Sequence, residues 1–208
     1  MTPEAVANCF TRPDGRYFFA RWGRPMAPVV FGVDDRTLGI VKGAIEATVA
    51  LAGHNMSETD TELGANLMLF FLEDWEELVQ LPNLDQMIPK LSDTVSRLKG
   101  QDARQYRLFR FDQNGAIKAC FAFVCLDRAQ QESPAEEIAL DLAVRVMLTW
   151  SKNAFANVSV LERDGNGKAV LRAELASLIK AAYDRILPVS ASDPAHALRL
   201  YARLESKR

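Results

Sequence analysis

The sequence predicts an α+β domain in which a mixed, mostly antiparallel sheet of about four to five strands packs against helices. Three observations predict it. Ser133 to Trp150 reads as a helix that is apolar on nearly every side, which places it in a core. Ala65 to Phe71 is a short continuous apolar run, the pattern of a strand buried on both faces. Tyr106 to Asp112 and Ala116 to Leu126 are β-favouring runs joined across Gln113-Asn114-Gly115, a hairpin signal.

Composition bounds the rest. A chain of 208 residues supports one core, so residues 1–208 are expected to form a single domain with an irregular segment over 1–24. Apolar residues make up 49% and charged residues 25%, which is ordinary for a globular protein and unlike a disordered one. The net charge of -2 argues against a phosphate-binding surface, and no nucleic-acid partner is expected. Three cysteines, Cys9, Cys120 and Cys125, do not make a disulfide framework. Cys120 and Cys125 lie an odd number of residues apart in one strand and should face opposite sides. Met1 to Asn8 lacks a basic and an apolar region of signal-peptide type, and no apolar run approaches the roughly 20 residues of a membrane span. The expected location is cytoplasmic, or periplasmic if an export signal has been removed.

Taken in order, Pro13-Asp14-Gly15 is a turn, and Tyr17, Phe18, Phe19 and Trp22 are expected to pack across the edge of the sheet. Pro28 to Val33 reads as the first strand. Asp34 or Asp35 then caps a helix whose face is Leu38, Val41, Ile45, Val49 and Ala52, with Gly53 ending it. Asn55 to Gly64 is a loop. After the central strand, Glu73 to Glu77 reads as an acidic first helical turn, a solvated face rather than a cation site. Leu84, Met87, Leu91, Val95 and Leu98 give an amphipathic helix broken near Pro89.

The apolar helix is expected to open with a capping box of Ser133 and Glu136 and with Pro134 in its first turn. Glu137, Asp141 and Arg145 recur every fourth residue along one side of it, with Lys152 continuing the row. That row is either a solvent seam or the floor of a cleft, and the Asp141 to Arg145 spacing, suited to an ion pair, favours the seam. Asn153 to Lys168 reads as a loop. Its Asp164-Gly165-Asn166-Gly167 lacks the acceptors that calcium needs. Leu171, Leu175, Leu178, Ile179, Ala182 and Ile186 mark one further helix, and Asp193-Pro194 starts a last one with His196 exposed in its first turn.

Candidate chemistry is sparse. His54 and His196 lie in different elements with no metal-ligand spacing, and no nucleophile elbow, P-loop or dinucleotide fingerprint is present. A Cys-His dyad remains open from sequence, although strand cysteines among phenylalanines are usually inert.

Several segments together carry a resemblance. They are Arg21 to Pro25 leading into a strand, Ala65 to Phe71, Ile117 to Asp127, Glu136 to Leu140, and Leu178 to Asp184 running into Arg185-Ile186-Leu187. In this order, over most of the chain, they resemble the proteobacterial family known as domain of unknown function 2927. Its members are often exported proteins or lipoproteins with a zincin-like, metalloprotease-related fold. The resemblance implies such a fold here. In that family a Glu-Glu-x-x-Gln helix stands where a true zincin has His-Glu-x-x-His. Carried over, Glu136 matches the first-ligand position, Glu137 the general base and Leu140 the second ligand. Leucine has no lone pair for a metal, and the family's Tyr-Asp-Pro-Arg motif survives only as Tyr183-Asp184-Arg185.

The resemblance therefore implies a metalloprotease-like fold without its zinc motif, with no metal and no cofactor. The expected role is a non-catalytic binding or interaction module for a protein or small-molecule partner. The alternative is an atypical hydrolase with Glu137 as general base and Asp141, Asp184 or His54 brought in from elsewhere.

Overall fold

The computed structural model describes residues 1–81, 84–126, 133–156 and 158–205. Asp127, the end of one resemblance segment, and the side chain of Met87 lie outside what is described. The architecture is α+β in three layers around a four-stranded mixed sheet. Strands β2 (Pro28–Phe31), β3 (Leu67–Leu72), β5 (Ile117–Cys125) and β4 (Gln105–Phe111) lie side by side in that order.

Two of the three pairings in this sheet are parallel, β2 with β3 and β3 with β5, and only β4 runs antiparallel to β5. The antiparallel majority that was expected holds only when the two small ribbons are added: β1 (Phe19–Ala20) with β8 (Ser190–Ala191), and β6 (Leu161–Arg163) with β7 (Ala169–Leu171). The cause lies in the connections. Helix α2 (Asp35–Ala52) carries the chain from β2 back to the start of β3, a crossover that leaves the two strands parallel. Its caps follow the sequence: the Asp34 carboxylate accepts from the Thr37 N–H at 2.7 Å, and Gly53 takes the left-handed conformation at φ +65°. β2 ends at Phe31, and the next position must be glycine: Gly32 has φ +81°, and a Cβ there would stand 2.1 Å from the Phe71 carbonyl oxygen.

Side-chain alternation sorts the sheet's two faces. Leu67, Leu69, Phe71, Cys120, Ala122 and Val124 join the main core with α2 and with α6 (Ala135–Met147). Leu72, Phe121, Phe123 and Cys125 join a second core under α3 (Glu77–Gln80), α4 (Leu84–Met87) and α5 (Leu91–Gly100). Cys120 and Cys125 thus face opposite layers, and all three cysteines are buried. Across the second face four rings stand in register, one per strand: Phe31 stacks on Phe70 at 4.9 Å, Phe70 on Phe123 at 5.0 Å, and Phe123 on Tyr106 at 6.1 Å.

The N-terminal segment is more ordered than expected. It forms α1 (Pro3–Asn8), capped by the Thr2 hydroxyl, and its Phe10, Phe19 and Trp22 are fully buried. Of the cluster expected over the sheet edge, Phe18 meets Phe111 of the edge strand, whereas Phe19 and Trp22 pack in the main core with Phe10: Phe10 stacks on Trp150 at 5.4 Å, and Trp22 donates its indole N–H to the Val146 carbonyl at 2.8 Å. An aromatic-rich stretch that buries this much apolar surface is organised by the core it fills, whatever its local turn signals.

Other boundaries shift for local reasons. The capping box does not form, because Pro134 itself occupies the cap position of α6, which leaves Ser133 outside the helix and Glu136 exposed. At its other end α6 stops at Met147. Leu148 turns extended to bridge Arg21, and the Thr149 hydroxyl accepts from the Ala20 N–H at 2.7 Å. Residues 73–76 precede α3, and the Glu77 carboxylate accepts from the Glu73 and Asp74 N–H groups at 2.7 and 2.8 Å. Within the expected loop over 153–168 lies β6, and the turn from Asp164 to Gly167 joins it to β7. Leu171 belongs to that ribbon, α7 spans Ala173–Ala182, and Ile186 lies beyond it, 75% exposed. Helix α8 (Ala195–Glu205) closes the chain against α1 and α7.

Candidate anion-binding cleft

β4 is an edge strand, and along one of its faces the period of two places Gln105, Arg107 and Phe109. Across from them α6 presents Asp141 and Arg145. The two walls meet through Asp141, whose Oδ2 accepts from the Gln105 amide at 2.8 Å and from the Arg145 Nε at 2.6 Å. They form one part of a groove of about 870 Å³ that runs along the edge of β4 and is lined also by Arg97 and Leu98 of α5 and by residues of the stretches 12–18 and 149–152. The end of α6 that carries Arg145 is held firmly, because three buried aromatic donors satisfy its last carbonyls: Trp150 bonds Val144, Trp22 bonds Val146 and Tyr183 bonds Met147, all within 2.9 Å.

The cleft is strongly cationic in a chain of net charge -2. Arg12, Arg97, Arg104, Arg107, Arg145 and Lys152 line it, against the carboxylates of Asp14 and Asp141. Both carboxylates are already neutralised, Asp14 by Arg16 at 2.6 Å and Asp141 by Arg145. Among the described residues the other five lining cations have no carboxylate within ion-pair distance. Arg12 lies over the Phe18 ring at 4.3 Å and Arg97 over Tyr106 at 5.9 Å.

Arg107 stands apart from these. Among the described residues its guanidinium donates only to the Gln105 side-chain oxygen, at 3.2 Å. Its surface is partly accessible, yet protein surrounds it closely enough that its charge is poorly solvated. Burial first, and then the Arg145 charge, pull its pKa down to about 10, while Cys120 and Asp141 act weakly the other way. Among the described residues no carboxylate pairs with it directly, since the Asp141 carboxylate is engaged by Arg145 and Gln105. Toward the other end of β4 the lining turns aromatic, with Phe109 and Phe111 near Phe18, whose ring meets Phe111 edge-on at 5.3 Å.

The row Glu137, Asp141, Arg145, Lys152 is split by this geometry. Asp141, Arg145 and Lys152 line the cleft, where the ion-pair spacing had favoured a solvent seam, and the expected Asp141–Arg145 pair is present. Glu137 lies outside it and is gripped by Arg163 of β6 through both carboxylate oxygens, at 2.6 and 3.0 Å. Glu136 is exposed and Leu140 half-buried. Neither Asp184 nor His54 lines the cleft: Asp184 pairs with Arg203 at 3.7 Å, and His54 bonds the Arg24 carbonyl at 2.9 Å. Among the described residues no three His, Cys, Asp or Glu side chains gather closely enough to hold a metal ion.

His196, expected at the surface, is buried. Its Nδ1 bonds the Tyr17 hydroxyl at 2.9 Å, its ring packs on Phe19 at 4.3 Å, and among the described residues its Nε2 has no partner. Burial, with help from Arg199, lowers its pKa to about 4. Cys9 and Cys120 are buried thiols pushed up by desolvation, to about 11 and about 12, the state of inert core cysteines.

Arg107 was missed by the sequence reading because its strand was read for β propensity alone. Parity does not single it out, since Arg110 stands on the other parity of the same strand; Gln105 and Asp141 had to be brought beside Arg107 for it to be recognised. Against known proteins, no family model matches the chain, and no curated protein or solved structure is similar to it.

Proposed function

We propose that this protein is a non-catalytic binding module, built on a zincin-like scaffold without a metal motif, that takes an anionic ligand in the cleft between β4 and α6. The observation that carries this is Arg107, a poorly solvated guanidinium that lines the cleft and, among the described residues, has no carboxylate within ion-pair distance. A bound carboxylate or phosphate would supply the missing counter-charge through bonds worth about 1.5–3 kcal/mol each. Zinc does not suit the positions the resemblance assigns, since Glu136 faces solvent and Leu140 offers no lone pair. The hydrolase alternative is weaker because both oxygens of Glu137 are engaged by Arg163, away from the cleft. Among the described residues no helix is long and apolar enough to cross a membrane.

Thermal unfolding in the presence of citrate or pyrophosphate tests the reading. Ligand that binds the folded state raises the midpoint. The expected result is a rise with either anion that Arg107→Met removes. Stoichiometric zinc in protein purified without chelators, or a rise untouched by Arg107→Met, would overturn it.

A further inference from the structure

We infer that the partner of this groove is an extended acidic peptide, which adds to the open edge of β4 as a fifth strand of the sheet. The inference rests on the anion-binding reading above and adds the class of ligand.

The backbone of β4 carries half of it. The Arg104 carbonyl accepts from the Cys125 N–H at 3.0 Å, which fixes the phase of the antiparallel ladder. With the register observed, Tyr106, Leu108 and Arg110 turn their N–H and C=O groups toward β5. Gln105, Arg107 and Phe109 turn theirs the other way, and among the described residues those groups have no partner. The groove follows this open edge. Its lining draws on α5 under one face of the sheet, on α6 over the other, and on β4 between them, so its floor is the edge of the strand itself. A peptide laid there completes the ladder and keeps its side chains alternating between the two layers.

The placement of charge carries the other half. Arg12 lies over Phe18, which meets Phe111, whereas Arg97 lies over Tyr106. The positions they mark on β4 are about 17 Å apart along the strand, too far for one small anion to span. Arg104 shares the parity of Tyr106, on the α5 side, while Arg107 and Arg145 stand on the α6 side. A partner that meets the cations of both sides therefore needs several carboxylates, spread along an extended chain and on both of its faces. Charges on an edge strand can also serve only to keep other strands away. Here five of the six lining cations come from outside β4, which suits a built groove better than a guarded edge. A second copy pairing β4 with β4 would set two groups of unpaired cations against each other. A nucleic-acid strand also spreads its charge, but its sugar–phosphate backbone has no amide to complete the ladder.

Fluorescence anisotropy of the labelled heptapeptide Thr-Glu-Glu-Val-Glu-Glu-Thr with the full chain tests the assignment, alongside two versions N-methylated at the odd or at the even positions. A strand paired on one side donates through alternate N–H groups, so one methylated version should bind about tenfold more weakly and the other about as well as the parent. Arg107→Met should weaken the parent about tenfold. If Arg107→Met does not fold, by circular dichroism, the exposed Arg104→Ser takes its place and should weaken the parent about threefold. Equal effects of the two methylation patterns, or binding untouched by these substitutions, overturn strand addition. Citrate or pyrophosphate binding where the peptide does not bind overturns it too, and leaves the anion-binding reading intact. A uridine hexanucleotide that outcompetes the peptide, or a dimer in sedimentation that the peptide does not dissociate, overturns it in favour of that occupant. No binding of peptide, citrate or pyrophosphate removes both readings.

Discussion

Acidification offers a sharp test of the core around His196. In the folded chain its pKa is lowered to about 4, because a proton added to the ring would leave a charged Nε2–H with no acceptor among Phe19, Tyr17 and the α8 backbone. Unfolded, the same imidazole titrates near 6.5. The folded state therefore binds fewer protons between these values. Stability from the neutral ring is fully present above about pH 6.5 and is lost as pH falls toward 4. Integrated to pH 5, the linkage amounts to about 2 kcal/mol, a sizeable part of the roughly 5–15 kcal/mol that holds a domain together. The assay is urea unfolding of the protein and of His196→Gln at pH 7 and pH 5. His54 also has a lowered pKa, chiefly from burial, but it contributes to both proteins and cancels in the difference. The original chain should lose about 2 kcal/mol more than the variant. Equal losses would refute the placement of His196 as a buried, half-partnered ring.

Two further outcomes follow from hydrogen-bond geometry. Burial pushes the Asp60 carboxylate up, but the Glu62 and Leu63 N–H groups, the Asn66 amide and Arg24 together outweigh it and hold the pKa at about 2. Asp60→Ala should therefore cost about 2–4 kcal/mol in urea unfolding at pH 7, and the stability it supplies should fade as pH drops from about 4 toward 2; an unchanged midpoint would show that the loop from Asp60 to Gly64 does not depend on it. Glu137→Ala breaks a pair whose arginine is 60% exposed, so it should cost less than about 1 kcal/mol and leave anion binding unaltered; loss of citrate or pyrophosphate binding would place Glu137 in the site after all.

Much of the framework can be read from local signals. Asp34 and Gly53 bracket α2 where cap chemistry places them, the all-apolar run at β3 lies mid-sheet, and the β4–β5 hairpin follows its Asn114-Gly115 turn. What local signals do not carry is which strands become neighbours. The parallel pairing of β2 with β3 depends on α2 crossing back over the sheet, and the end of α6 at Met147 on a hydrogen bond from Ala20, far away in sequence. His196 looks polar and terminal until Tyr17 and Phe19 arrive beside it. The cleft was hidden differently: its cations come from five separate stretches, between Arg12 and Lys152, and a net charge near zero averages them away against acidic residues elsewhere. Asp141 was visible as a member of a helical row, but its role as the hinge between two walls needed Gln105 opposite it.

The row of four rings that crosses the sheet, from Phe31 to Tyr106, bears on how the chain assembles. Tyr106 and Phe123 meet as hairpin partners early and cheaply, whereas Phe70 and Phe31 must arrive from distant segments, each at the one offset that seats its ring on the last. A strand misplaced by a single residue would turn its phenylalanine toward the opposite layer and interrupt the stack, so the rings act like the teeth of a key that fits one alignment of the four strands and none of its near misses.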